Sequence, residues 1–179
     1  MRKVFLIAGL MTAFVLATLA SSAATNFAGS YVLDKTKSQG LSPRMAGADK
    51  VTWTITQDDK TISIDQKVEG GQPPAGGGGG GGGMGGGRGP AGPTAYNLDG
   101  SETTMEMGQG KMMLKATWAG AVLELSRKTS FTAPDGTERT SATAQKLSLS
   151  GDGKVLTAVV HSEGGRGGPT DSTLVFNKQ

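Results

Sequence analysis

Beyond residue 50 the apolar residues of this chain recur at every second position, and no other feature narrows its fold as far. In KVTWTITQ the side chains of Val51, Trp53 and Ile55 alternate with the hydroxyls of Thr52, Thr54 and Thr56. That is the pattern of a strand with one face buried and the other in water. TISIDQKV repeats it through Ile62, Ile64 and Val68, after a turn at Asp58-Asp59-Lys60. The period continues through Tyr96 and Leu98, then Met105 and Met107, then Met112, Leu114, Ala116 and Trp118. Leu123 and Leu125, Ala142 and Ala144, Val155 to Val160, and Leu174 with Phe176 extend it to the end of the chain. With a first strand over Ala28–Lys37 the count is about ten, and no convincing amphipathic helix interrupts it.

Asp99-Gly100, Gly108-Gln109-Gly110, Ala119-Gly120, Asp135-Gly136 and Asp152-Gly153 separate these runs. Such short connections supply the positive φ that antiparallel hairpins require. The expected fold is all-β, an antiparallel up-and-down meander of about 8–10 strands that closes into a barrel or folds over as a sandwich, because open edge strands are liabilities. Strand parity then places the long connections. Gly70 to Pro93 joins the third strand to the fourth, and Gly164 to Thr170 joins the ninth to the tenth. Both leave from odd-numbered strands, so they share one end of the barrel with the segment from Gly40 to Asp49.

Eight consecutive glycines, Gly76 to Gly83, lie within the first of these connections. They have nothing to bury and the largest backbone entropy to lose, so residues 71–93 are expected to form a disordered Gly/Pro-rich loop. Growing a tight turn to some twenty residues costs only roughly 1.5 kcal/mol of closure entropy, so the insertion needs no function to explain it. A phosphate cradle would need a helix to follow, whereas this run leads to Pro90, Pro93 and a strand. Arg88 and Arg166 between glycines read as solvated loop charges.

The opening MRKVFLIAGLMTAFVLATLASSAAT places Arg2 and Lys3 before an uncharged apolar run and small residues at Ser21 to Ala24. This is the layout of a signal peptide over residues 1–23, with cleavage after Ala23 or Ala24. The chain is therefore expected to be exported, periplasmic or extracellular, with no membrane insertion after cleavage and a single β-barrel domain over 24–179. Removing Arg2 and Lys3 from the 18 basic residues leaves 16 against 15 acidic ones, a net charge of +1. So balanced a chain lacks the long-range field that draws proteins onto nucleic acid. Cysteine is absent, which excludes disulfides, thiol catalysis and thiolate metal sites.

Chemistry-bearing residues are few. His161 is the sole histidine, no G-x-S-x-G elbow occurs, and no carboxylate is spaced to orient a base. No enzymatic activity and no cofactor are expected. Met105, Met107 and Met112, with Met113 nearby and His161, are the residues that could hold Cu(I), since thioether and imidazole ligands suit it. The alternative is that these flexible side chains fill the barrel or line a greasy pocket. Trp53, Tyr96, Met112, Leu114 and Trp118 are the candidate wall of an interior site for a small apolar or amphipathic ligand. A solidly packed barrel that meets another cell-envelope protein is the competing reading.

AGSYVLDKTKS at the start, and SLSGDGKVLTAVVHSEG with STLVFNKQ at the end, resemble the two ends of small exported bacterial lipocalin-like (calycin-type) proteins of unassigned function. The resemblance implies an antiparallel barrel with room for an apolar molecule at its centre. It brings no catalytic residues, and Tyr31 stands where lipocalins carry tryptophan.

Overall fold

The computed structural model describes residues 25–70, 92–108, 110–133, 136–164 and 168–179. The signal segment 1–23, most of the glycine loop, and Arg88 and Arg166 lie outside them. Ten strands follow one another: β1 Gly29–Leu33, β2 Lys50–Gln57, β3 Thr61–Glu69, β4 Thr94–Asn97, β5 Thr103–Met107, β6 Gly110–Ala119, β7 Val122–Thr132, β8 Glu138–Leu149, β9 Val155–Glu163 and β10 Thr170–Lys178. They form one antiparallel sheet in the order β4-β3-β2-β1-β10-β9-β8-β7-β6-β5.

Pairing of the first strand with the last, Tyr31 opposite Lys178 and Leu33 opposite Phe176, curls this meander into a nearly closed barrel. The seam falls between β4 and β5. There β4 covers only Thr61 to Ile64 of β3, and the Asn97 amide donates to Ser101 Oγ and Thr103 Oγ1, both at 3.0 Å.

Turn chemistry divides the barrel into two ends. Tight connections at Asp58–Lys60, Leu98–Glu102, Gly120–Ala121 and Ser150–Lys154 lie at one end, here called the turn end. Asp58 Oδ1 accepts the amides of Lys60 and Thr61 there, and Gly100 and Gly153 take φ of 82° and 69°. The opposite, loop end carries the longer connections out of β1, β3 and β9, as strand parity predicts. The connection from β1 holds the one short helix among the described residues, α1 Pro43–Gly47, with Ser42 as N-cap. Sequence periodicity gave no sign of it, because five residues cannot show a helical period. Its Met45 packs into the core, and Lys35 Nζ bonds the carbonyls of Ala46 and Ala48 behind it.

Two expected boundaries and one expected face differ. The first strand ends at Leu33 rather than Lys37, because Asp34 Oδ1 accepts the amides of Thr36 and Lys37 and turns the chain. Leu98 belongs to the turn after β4, its amide donating to the Lys60 carbonyl at 2.7 Å. On β8 the inward positions are Leu147, opposite Leu123, and Gln145, opposite Leu125. Ala142 and Ala144 therefore face out.

Candidate functional site

Register fixes which side chains share the interior, since directly paired residues in an antiparallel ladder lie on the same face. At the turn end the interior is apolar and filled. Trp53 and Phe176 rings meet at 4.4 Å, and Ile55, Ile62, Leu123, Leu125, Leu147 and Leu156 are buried around them. The chain's described start closes this end from below. Phe27 is buried and stacks on Trp118 at 6.1 Å, Tyr31 Oη donates to the Phe27 carbonyl, and Gln57 ties down both Phe27 N and Thr25 O.

Halfway up, the inward face changes character. On β7, Leu123 and Leu125 give way to Arg127 and Thr129, while on β8, Leu147 gives way to Gln145, Thr143 and Ser141. On β9 and β10 the succession ends at Ser162 and Ser172. Gln145 is buried, but Arg127, Thr129, Ser141, Thr143, Ser162 and Ser172 are all partly exposed. Solvent therefore reaches the inward face of β7 to β10 in the loop-end half, whereas Val51 on β2, Met112 on β6 and Met45 of α1 stay buried there. The result is a cup with a polar wall above an apolar floor.

Five residues were expected to form one wall. Trp53, Tyr96, Met112 and Leu114 do face the interior and are buried. Trp118 does not belong with them: it lies next to the β6–β7 turn and stacks on Phe27, so it is part of the floor plug. Trp53 is 0% exposed and its Nε1 donates to Gln66 Oε1 at 3.0 Å, which makes it floor packing as well. Met112 stands one inward position nearer the loop end than Leu114, whereas Tyr96 pairs with Ile62 near the turn end. Burial raises the Tyr96 phenol pKa, and the charge of Arg127 pulls against that rise, so the guanidinium acts on the buried phenol.

The methionine and histidine residues are divided by the sheet. Met105 pairs with Met112 and Met107 with Gly110 on the inward face of β5 and β6, with Met105 39% exposed at the open seam. His161 instead pairs with Ala144 and Asp171 on the outward face. Its Nδ1 lies 2.6 Å from Asp171 and its Nε2 3.1 Å from Glu163, and these hydrogen bonds raise its pKa. A ring with both nitrogens already held by carboxylates, outside the barrel, is not a fourth ligand to the inward methionines. Among the described residues no group of three or more His, Asp or Glu could hold a metal ion.

Charge is sorted by the same alternation. Asp65, Glu69, Glu106, Glu124, Glu138, Glu163 and Asp171 all take outward register positions. The two arginines on the strands, Arg127 and Arg139, both take inward ones, opposite Leu114 and Phe131. An open groove at the rim, lined by Glu106, Lys111, Phe131 and Glu138 among others, mixes both signs and lies mostly on outward positions. The cup is the better candidate.

The architecture is thus a lipocalin-like, nearly closed ten-strand antiparallel barrel with a solvent-reached cup at its loop end. A crystal structure of a secretary abundant heat soluble (SAHS) protein from Ramazzottius varieornatus shares this fold, with a TM-score of 0.51 and 12% sequence identity over 88% of this chain and 98% of that one. No protein-family model matches the sequence, and neither does any curated protein.

Proposed function

We propose that this chain is an exported, non-enzymatic binding protein that holds a small amphipathic molecule in the loop-end half of its barrel. The observation that carries this reading is the change of the inward face of β7 to β10 from sealed apolar to solvent-reached polar halfway up the strands. A barrel whose only task was stability would gain by continuing the apolar layers, since each buried apolar side chain contributes about 1.5–3 kcal/mol. Native mass spectrometry of the protein isolated gently from its host is the test. An adduct of small-molecule mass is expected, and Thr143→Trp, which fills the cup opposite Arg127, should remove it. An adduct that persists in that variant places the ligand elsewhere, and an adduct-free wild-type spectrum overturns the reading.

The filled turn-end half supports a second reading, a packed cell-envelope module that works through its surface. No nucleic acid partner is proposed for either, given the near-balanced charge.

A further inference from the structure

The stretch MEMGQGKMM, residues 105–113, carries β5 into β6 and holds half of the chain's eight methionines. Register divides them three to one. Met105 stands directly opposite Met112, and Met107 stands opposite Gly110, so Met107 is the diagonal neighbour of Met112 on the same inward face. Met113 pairs with Thr104 on the outward face. Directly paired Cβ atoms lie about 4.5–5.5 Å apart and diagonal ones about 7–8 Å, gaps that long, unbranched methionine side chains can close. Gly110 has no side chain to fill the corner between Met107 and Met112.

Packing accounts fully for only one of the three. Met112 is 1% exposed and belongs to the core, whereas Met107 packs at the margin of the core and Met105 is 39% exposed. An exposed thioether gains little from burial, and strand positions favour β-branched and aromatic residues over methionine. What the three share is a neutral, polarisable sulfur.

We propose that Met105, Met107 and Met112 form a three-thioether site for a soft monovalent cation, Cu(I) or Ag(I), at the seam of the barrel. Thioether sulfur selects such ions, while Mg(II) and Ca(II) take oxygen ligands and Zn(II) takes imidazole or thiolate. The chain has no cysteine to compete for the ion, and among the described residues no group of His, Asp or Glu could hold one. Exposed Met105 is the way in, and buried Met112 is the fixed point of the site. The site is built on β5 and β6 rather than on the polar wall of β7 to β10, and it does not rest on the amphipathic ligand proposed above. A thioether has no proton to release, so the affinity is independent of pH, unlike that of a site built on imidazole or carboxylate.

Anaerobic titration of the purified protein with Cu(I) against a chromogenic Cu(I) chelator tests this, with Ag(I) followed through the methionine methyl signals by NMR as the air-stable counterpart. One equivalent should bind, with the same affinity between about pH 6 and 8, where a histidine site would change. Ag(I) should shift the methyl signals of Met105, Met107 and Met112 and leave that of Met113 in place. Met105→Leu and Met107→Leu, exchanges that conserve volume and keep the fold, should each weaken Cu(I) binding about tenfold or more, since even a residue that only orients a ligand is worth that much. Met113→Leu and His161→Ala should leave it unchanged. Uptake that survives in the Met105→Leu, Met107→Leu double variant, an affinity that falls as His161 takes up its proton, or uptake no tighter than that of free methionine overturns the site.

Discussion

Leu125 and Arg127 are successive inward residues of β7, yet one is sealed in the core and the other stands in a wall that water reaches. The same contrast runs across the neighbouring strands: Leu147 against Thr143 on β8, Leu156 against Ser162 on β9, Phe176 against Ser172 on β10. One continuous ladder of backbone hydrogen bonds supports both halves, so the difference lies wholly in side chains. It shows how a meander can separate tasks along its strands: the turn end supplies cohesion, and the loop end is released from it.

The largest effect expected from this division concerns a pair of inward truncations. Trp53→Ala removes a fully buried ring from the floor and should cost about 3–5 kcal/mol, whereas Ser141→Ala in the cup should cost less than about 0.5 kcal/mol. Urea denaturation of both variants checks this, and similar costs would abolish the distinction between the halves.

A smaller effect marks where backbone geometry, rather than burial, limits the loop end. A Cβ added at Gly110 would lie 2.5 Å from the Ser130 carbonyl oxygen and 3.0 Å from Phe131 Cβ. Gly110→Ala should therefore destabilise by about 1–3 kcal/mol, as overpacking does, although this residue lies at the exposed rim. A stability unchanged in thermal melts would mean that β6 and β7 separate freely there.

The smallest effect belongs to the outer surface. The hydrogen bond that the imidazolium donates to Asp171, and after it the one it donates to Glu163, raises the His161 pKa above its ordinary 6.5. A raised folded-state pKa means that the stabilisation is fully present below about 6.5 and is lost as pH rises through the folded value. His161→Ala should thus lower the melting temperature slightly at pH 5–6 and not at all well above the folded pKa. A difference that grew with pH would show that the imidazole is held neutral.

Much of the turn-end half was legible in the sequence, because it is where apolar and polar residues alternate with most contrast. Val51-Trp53-Ile55 and Leu123-Leu125 declare their inward face, and the glycines after them declare the turns. The cup was far less legible. On β8, Ser141, Thr143 and Gln145 alternate with Ala142, Ala144 and Lys146, and two mildly apolar alanines on the outer face suggested the wrong side. Arg127 lies beyond the end of the apolar run, although counting by twos from Leu123 places it inside. Trp118 followed the alternation of β6 correctly, but its height along the strand depended on which turn lay beside it. The separation of His161 from the methionines is a matter of odd and even positions on strands nearly fifty residues apart, which composition alone cannot reveal.

The pairing of β1 with β10 has a consequence in time. A chain that emerges residue by residue presents Gly29–Leu33 before any other strand and Thr170–Lys178 after the other nine, so β1 must wait, paired only with β2, until β10 has emerged. Contacts of such long sequence separation make closure slow. Throughout that interval a bare strand edge lies open to the wrong neighbours, and a nascent barrel of this design is at its most vulnerable just before the nine residues of β10 arrive.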